Sequence, residues 1–333
     1  MDFFCFTEAR TGGLQEVLAR RCVDCTAVET HDIIDPQNAT TARLNRTAFV
    51  GLSAAAAVGA ASGPALAQAT QALGKTHPPL VPEDDPDLTI QRVSIARPDG
   101  TIAAYAASPK NATSATPGVV VVMHIWGVDT SIRDVVRRLA KEGYVAIAPD
   151  LYGRFGAPNG DGATDAVQFR DYANKLIDAQ ADGDIRAAAE WIRATHPNAR
   201  LGVTGFCMGG SIALRQAVDN ADTFAAAAVW YGKVRYATGG PPGSNQGSIT
   251  EMALGYTDEI RIPILGSFGE RDTSILPEDV RAFQKRLRVA NDIKIYPEAG
   301  HAFFDDQRES YVPSAAADAW SRALAFFAKY LKL

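Results

Sequence analysis

Leu201-Gly202-Val203-Thr204-Gly205-Phe206-Cys207-Met208-Gly209-Gly210-Ser211 decides the fold, because a β-rich apolar run ends in a glycine-framed cysteine and a helical pattern begins near Ser211. The frame is that of a nucleophile elbow, G-x-S-x-G, in which the central side chain sits on a sharp strand-to-helix turn. Glycines flank such a turn because a Cβ there would collide with neighbouring backbone. Cysteine replaces the usual serine, so the attacking species would be a thiolate, favoured by an imidazolium and by a helix N-terminus. The bland alternative is a small buried thiol, the ordinary state of a free cysteine.

Working outward, Thr89 to Ile95 alternates, Pro98-Asp99-Gly100 turns, and Ile102 to Ala107 returns, which predicts a β-hairpin at a sheet edge. Gly118-Val119-Val120-Val121-Val122-Met123 is a continuous apolar run, as in a parallel strand buried on both faces. Helices are expected from about Ser131 to Glu142, Thr164 to Gln180, Asp184 to Thr195, after Cys207, around Pro277 to Ala290, and from about Ser314 to Leu331. Strands are expected at Val145 to Ala148, Leu201 to Thr204, Ala225 to Tyr231, Pro263 to Ser267 and Ile293 to Tyr296. This alternation predicts an α/β fold, a doubly wound and mostly parallel sheet with an antiparallel start, whose chemistry lies at the carboxyl ends of the strands. No internal repeat, GxGxxG or P-loop interrupts it, and Gly239-Gly240-Pro241-Pro242-Gly243-Ser244 reads as a connector rather than a lid.

A thiol nucleophile needs a base, and the base needs an orienting acid, in the chain order nucleophile, acid, histidine. Gly269-Glu270-Arg271-Asp272 follows an expected strand, which makes Asp272 the candidate acid, with Glu270 and Asp279 as competitors on a solvated loop. Glu298-Ala299-Gly300-His301 follows the next strand, and Gly300 lets the loop swing His301 toward the elbow. His196 and His77 read as ordinary satisfied core or surface residues. An oxyanion hole would take one N–H from Met208, after the nucleophile, and one from Ile125 in the loop His124-Ile125-Trp126-Gly127.

With 333 residues and 47% hydrophobic content, the chain can bury one sizeable core. A net charge of −5 without a basic cluster argues against a nucleic-acid surface or a polybasic membrane patch, leaving a small-molecule substrate. The N-terminal part differs in character. Arg43 to Arg46 is basic, an Ala/Gly-rich apolar run follows, and Ala65-Leu66-Ala67 has the A-x-A form, the order of an export signal. Because the pattern begins only at residue 43, either the true start lies downstream of Met1 or residues 1–67 form an uncleaved extension. The expected organisation is that extension, a proline-broken lead-in over 68–87, and one catalytic domain over 88–333. Cleavage would give a periplasmic or secreted chain without stable membrane association, and the alternative is a cytoplasmic one. Cys5, Cys22 and Cys25 all precede the cleavage point, so Cys207 would be the sole remaining cysteine. Cys22-Val23-Asp24-Cys25 lacks a second CxxC or a histidine pair to complete a metal site.

From about Val93 onward the chain resembles the dienelactone hydrolase family, carboxymethylenebutenolidase-like enzymes of the α/β-hydrolase superfamily. The resemblance is carried by His124-Ile125-Trp126-Gly127, Ile132-Arg133-Asp134, Ala148-Pro149-Asp150-Leu151-Tyr152-Gly153-Arg154, the cysteine elbow, Tyr231-Gly232 and Ala299-Gly300-His301-Ala302-Phe303-Phe304. It implies an α/β-hydrolase fold, a triad of Cys207, Asp272 and His301, and hydrolysis of a lactone or carboxylic ester through an acyl-cysteine. It also implies a pocket including Trp126, Tyr231 and, in the helix before the elbow, Arg170. Two departures stand out. The family's well-known members carry a glutamate at the position of His124, where it tunes the cysteine. They also carry an arginine shortly after the catalytic histidine for the substrate carboxylate, where this chain reads Phe304-Asp305-Asp306. The chemistry requires no metal or organic cofactor, and a monomer is expected. A broader carboxylesterase or thioesterase, or a non-catalytic binding protein on a hydrolase scaffold, are the rival expectations.

Overall fold

Val119, Val120, Val121 and Val122 have no exposed surface, and the strand they build, β3 (Gly118–Val122), lies in the interior of the sheet. The computed structural model describes residues 76–234, 237–238, 248–249 and 256–332. Its strands are β1 (Leu88–Arg97), β2 (Gly100–Pro109), β3, β4 (Val145–Pro149), β5 (Leu201–Phe206), β6 (Ala226–Trp230), β7 (Ile264–Gly269) and β8 (Asn291–Tyr296). They form one eight-stranded sheet in the order β1-β2-β4-β3-β5-β6-β7-β8. The β1–β2 and β2–β4 pairs are antiparallel and all others parallel, as the hairpin and the apolar runs predict. A separate two-residue ladder joins Ala237–Thr238 to Ser248–Ile249.

The helices are α1 (Thr130–Lys141), α2 (Val167–Ala173), α3 (Asp178–Thr195), α4 (Met208–Asp219), α5 (Pro277–Arg286) and α6 (Pro313–Leu331). Two glycines show that they cover both faces. A Cβ on Gly118 would strike Ile192 of α3 and Leu201, while one on Gly202 would strike Phe327 and Leu331 of α6. Leu201 and Gly202 are successive strand residues and so point to opposite faces, which places α3 and α6 on opposite sides of the sheet. The fold is therefore an α/β-hydrolase arrangement, and the carboxyl ends of its parallel strands share one edge.

Two expectations differ from the structure. The helix expected from Thr164 to Gln180 is only α2, and the next begins at Asp178 rather than Asp184. Leu176 dives into the core and Ile177 is extended, which ends α2; Asp178 then places a carboxylate in the first turn of α3, where the helix dipole favours it. The lead-in contains neither helix nor strand over 76–87, yet it is a packed strap rather than a linker. Leu80 and Val81 donate their N–H groups to the buried Asp134 carboxylate at 3.0 and 2.9 Å, and Arg137 donates to the Val81 carbonyl at 2.6 Å. Lys141 pairs with Asp85 and Asp87 at 3.1 and 2.8 Å. The export-signal segment, Cys5, Cys22, Cys25 and the Gly239 to Ser244 loop lie outside the described residues.

Candidate active site

β5 ends at Phe206 and α4 begins at Met208, so Cys207 alone makes the turn. It does so at φ 55°, a left-handed conformation that costs a non-glycine residue energy. Two backbone approaches make the turn possible. A Cβ on Gly205 would lie 2.0 Å from the Gly209 carbonyl oxygen, and one on Gly209 would lie 2.3 Å from that of Val122. The Cys207 N–H donates to the Trp230 carbonyl at 3.0 Å, locking the turn to β6.

The loop after β8 carries His301 over this turn. His301 Nε2 is 3.1 Å from Cys207 Sγ, and its Nδ1 is 2.8 Å from Asp272 Oδ2. Asp272, in the turn after β7, accepts the Ser274 and Ile275 N–H groups on Oδ1 at 2.7 and 2.9 Å, which leaves Oδ2 for the imidazole. Glu270, the competing acid, instead pairs with exposed Arg281. Cys207, Tyr231 and Ala302 are the non-glycine residues with left-handed φ among the described residues; the first belongs to this triad and the other two adjoin His301. Strain concentrated in this way marks a functional site.

The electrostatics favour an ionised pair. Burial alone would push the His301 pKa down, but Asp272 and Cys207 outweigh it and push it up to about 10. Burial would likewise push the Cys207 thiol up; the hydrogen bond and charge of His301, the charge of His124 and the Met208 N–H outweigh it, and the thiol is lowered. The Met208 N–H is thus directed at the sulfur.

The loop expected to supply the second donor is a tight turn in which the Gly127 N–H donates to the His124 carbonyl at 3.1 Å, with half-buried Ile125 and Trp126 at its tip. Trp126 packs edge-on against Phe169 at 5.4 Å, and the buried Tyr231 ring lies 5.3 Å from that of His301. Arg170 is exposed on α2, and no hydrogen bond or ion pair of its guanidinium to the triad occurs among the described residues. His77 is a satisfied structural residue, as expected: its N–H donates to the Asp306 carbonyl at 3.0 Å and its ring meets Tyr311.

Sequence reasoning missed a charged wall beside the thiol. Arg308 lies seven residues after His301, in the same loop, and its guanidinium stacks 4.1 Å over Trp126. It donates to Asp305 at 3.1 Å and to the Ala163 carbonyl at 3.0 Å, and approaches Asp129 at 3.5 Å. Asp305 and Asp306 are turned inward rather than toward a ligand: Asp305 accepts from Ser131 at 3.0 Å, and Asp306 is paired with Arg138. The signal was the basic residue beyond the two acids, but nothing local showed which way each side chain turns. A cavity of about 310 Å³, lined by Arg92, Trp126, Arg133, Asp150, Tyr152 and Gly160 among others, includes no member of the triad.

Comparison with known proteins identifies the family. The model of the "Dienelactone hydrolase family" matches residues 102–331. Proteins named "Putative carboxymethylenebutenolidase" from Salmonella typhimurium and Escherichia coli K12 are each 38% identical, covering 76% and 75% of this chain and 92% and 91% of theirs. The crystal structure titled "Putative Dienelactone Hydrolase" from Klebsiella pneumoniae is 37% identical with a TM-score of 0.64, over 73% of this chain and 99% of that one. The chain belongs to the dienelactone hydrolase family and is a hydrolase.

Proposed function

We propose that this hydrolase cleaves a lactone or carboxylic ester through an acyl-cysteine intermediate on Cys207. The observation that carries this reading is the continuous line from Asp272 through His301 to a strained thiol, at 2.8 and 3.1 Å. The Cys207 proton rests on His301 Nε2, and the thiolate attacks the substrate carbonyl. The oxyanion that forms is held by the N–H groups of Met208 and Ile125. Collapse expels the alkoxide, which takes the proton from His301. The imidazole then removes a proton from water, the hydroxide attacks the thioester, and the acid leaves as the thiolate and imidazolium are restored. Asp272 holds the ring in the orientation that presents Nε2 to both steps.

Arg308 bears on the substrate class. Its guanidinium is already engaged by Asp305 and Ala163, which favours neutral esters over substrates that need a free arginine for a carboxylate. Turnover of p-nitrophenyl acetate against an anionic dienelactone tests this, and a clear preference for the anionic lactone would refute the neutral-ester reading. Replacing Cys207 with alanine is expected to abolish ester hydrolysis with the fold intact; turnover retained in the purified variant would sink the covalent mechanism. We further propose that residues 43–67 act as an export signal, to be checked by N-terminal sequencing of protein from the native cell.

A further inference from the structure

Beside the nucleophile lies a group of four charges, three of them buried and Arg308 half-buried, that the hydrolytic steps leave unused. His124 is 6% exposed, and Asp129 and Asp305 are each 4% exposed. His124 Nε2 lies 2.9 Å from Asp129 Oδ1, with the carboxylate off the N–H direction, so that the contact is Coulombic rather than a linear hydrogen bond. Its Nδ1 lies 3.7 Å from Asp305 Oδ2. Arg308 bridges the same two carboxylates, Nε to Asp305 at 3.1 Å and Nη2 to Asp129 at 3.5 Å. The neutral partners are Ser131 Oγ and the Gln307 N–H on Asp305 and the Ile132 N–H on Asp129.

The charge count decides the state of the imidazole. Two buried carboxylates face one guanidinium, and an uncompensated buried charge is costly, so His124 balances the group only as an imidazolium. The sheet then sets where this charge sits. Val122 and Gly205 are register partners on the parallel strands β3 and β5, and His124 and Cys207 are each the second residue beyond them. The start of α4 closes the gap, since Gly209 packs against the Val122 and Met123 carbonyls. Neighbouring parallel strands lie about 5 Å apart, so the fixed positive charge stands beside the thiol within Coulombic range.

We propose that His124 is a positioning residue of the nucleophile: clamped as an imidazolium by Asp129 and Asp305, it holds Cys207 as a thiolate before any substrate arrives. The reading rests on Cys207 being the nucleophile and adds how its charge state is set. The lowered thiol and the upward push on His124, which Asp129 and Asp305 exert against burial and Arg308, accord with it. The other ionisable groups facing this corner are His301 from the loop after β8, Tyr231 from the end of β6 and Tyr152 from the turn after β4, whose hydroxyl lies 3.4 Å from Met208 Sδ; burial and the Cys207 charge hold both tyrosines neutral.

Two measurements test it. In the wild-type chain, the His124 ring is followed by NMR over pH 5–9, with its signal assigned by elimination using variants of the other histidines. It is expected to stay protonated through pH 8, and a neutral ring at pH 7 overturns the proposal whatever any variant does. Iodoacetamide alkylation of Cys207 is then followed on its own peptide against pH. In His124→Gln the midpoint is expected to rise so that alkylation near pH 6 slows about tenfold, and His124→Lys, which keeps the charge, is expected to restore most of it. An unchanged midpoint in a folded His124→Gln variant overturns the proposal, because a merely structural role would move stability and not the midpoint. The parent reading fails separately, through ester turnover retained by Cys207→Ala.

Discussion

The two sides of the thiol are built from different materials. On the elbow side, Gly205, Gly209 and the Cys207 turn are fixed by backbone atoms meeting at closest approach. On the loop side, His124, Asp129, Asp305 and Arg308 are fixed by opposite charges drawn from the loop after β3, the start of α1 and the loop after β8. Sterics of the first kind are independent of pH and salt and tolerate no added atom. Charges of the second kind can be exchanged or titrated, so this is the wall where properties can change without loss of the fold.

The sharpest way to break the contrast is to add one methyl group. Gly205→Ala would place a Cβ 2.0 Å from the Gly209 carbonyl oxygen and 2.4 Å from its carbon, with no flexible side chain to yield. We expect a loss of at least about 3 kcal/mol in urea unfolding, or failure to accumulate as folded protein. A variant with an unchanged urea midpoint would show that the elbow is not under steric control.

Next in size is the line from Asp272 to His301. Asp272→Asn keeps the shape but removes the charge that orients and stabilises the imidazolium, and kcat is expected to fall about 10³- to 10⁴-fold with an unaltered circular dichroism spectrum. The pH profile of kcat/KM follows from the same pair. Activity needs the thiolate and the imidazolium together, so it should rise with pH through a midpoint below the ordinary thiol range, since the thiol is lowered. It should fall again near pH 10, where His301 loses its proton. A profile that is still rising at pH 10 would show that His301 acts from its neutral form.

The same division explains what could be read before the structure. The elbow, the order of Cys207, Asp272 and His301, and the buried run at Val119 were legible because each is a local pattern with a single steric or hydrophobic reading. The charged wall was not. Asp129, Asp305 and Arg308 are ordinary solvated residues in any local window, and their meeting depends on β3 and the loop after β8 ending at one edge of the sheet. The strap failed for a related reason: Leu80 and Val81 are held through their backbone N–H groups by Asp134, more than fifty residues away, and no composition records such a bond. Arg170, which the resemblance places at the pocket, is exposed on α2.

A smaller effect is expected on the charged wall itself. Arg308→Met keeps a side chain over Trp126 and removes the guanidinium that Asp129 and Asp305 share. Because that side chain retains 23% exposure, the cost is smaller than for a sealed ion pair, about 2 kcal/mol. Asp305→Asn in the same chain should recover about half of it, because the charge left unpaired is then gone. Additive losses in the double-mutant cycle would show that the wall is held by packing alone.

The smallest effect belongs to the rim. His77 joins the strap to the catalytic loop through its backbone N–H on Asp306 and a T-shaped contact with Tyr311, while its ring stands 3.7 Å from the Asp306 carboxylate. That carboxylate is already satisfied by Arg138, and the His77 side chain is 31% exposed, so the ring adds a screened interaction to a group with a better partner. His77→Ala preserves the backbone bond and should shift the unfolding free energy by at most about 0.5 kcal/mol, with kcat unchanged. A several-fold loss of kcat in that variant would mean that the strap tunes the loop carrying His301, and it would move the boundary between the two walls outward to include the strap.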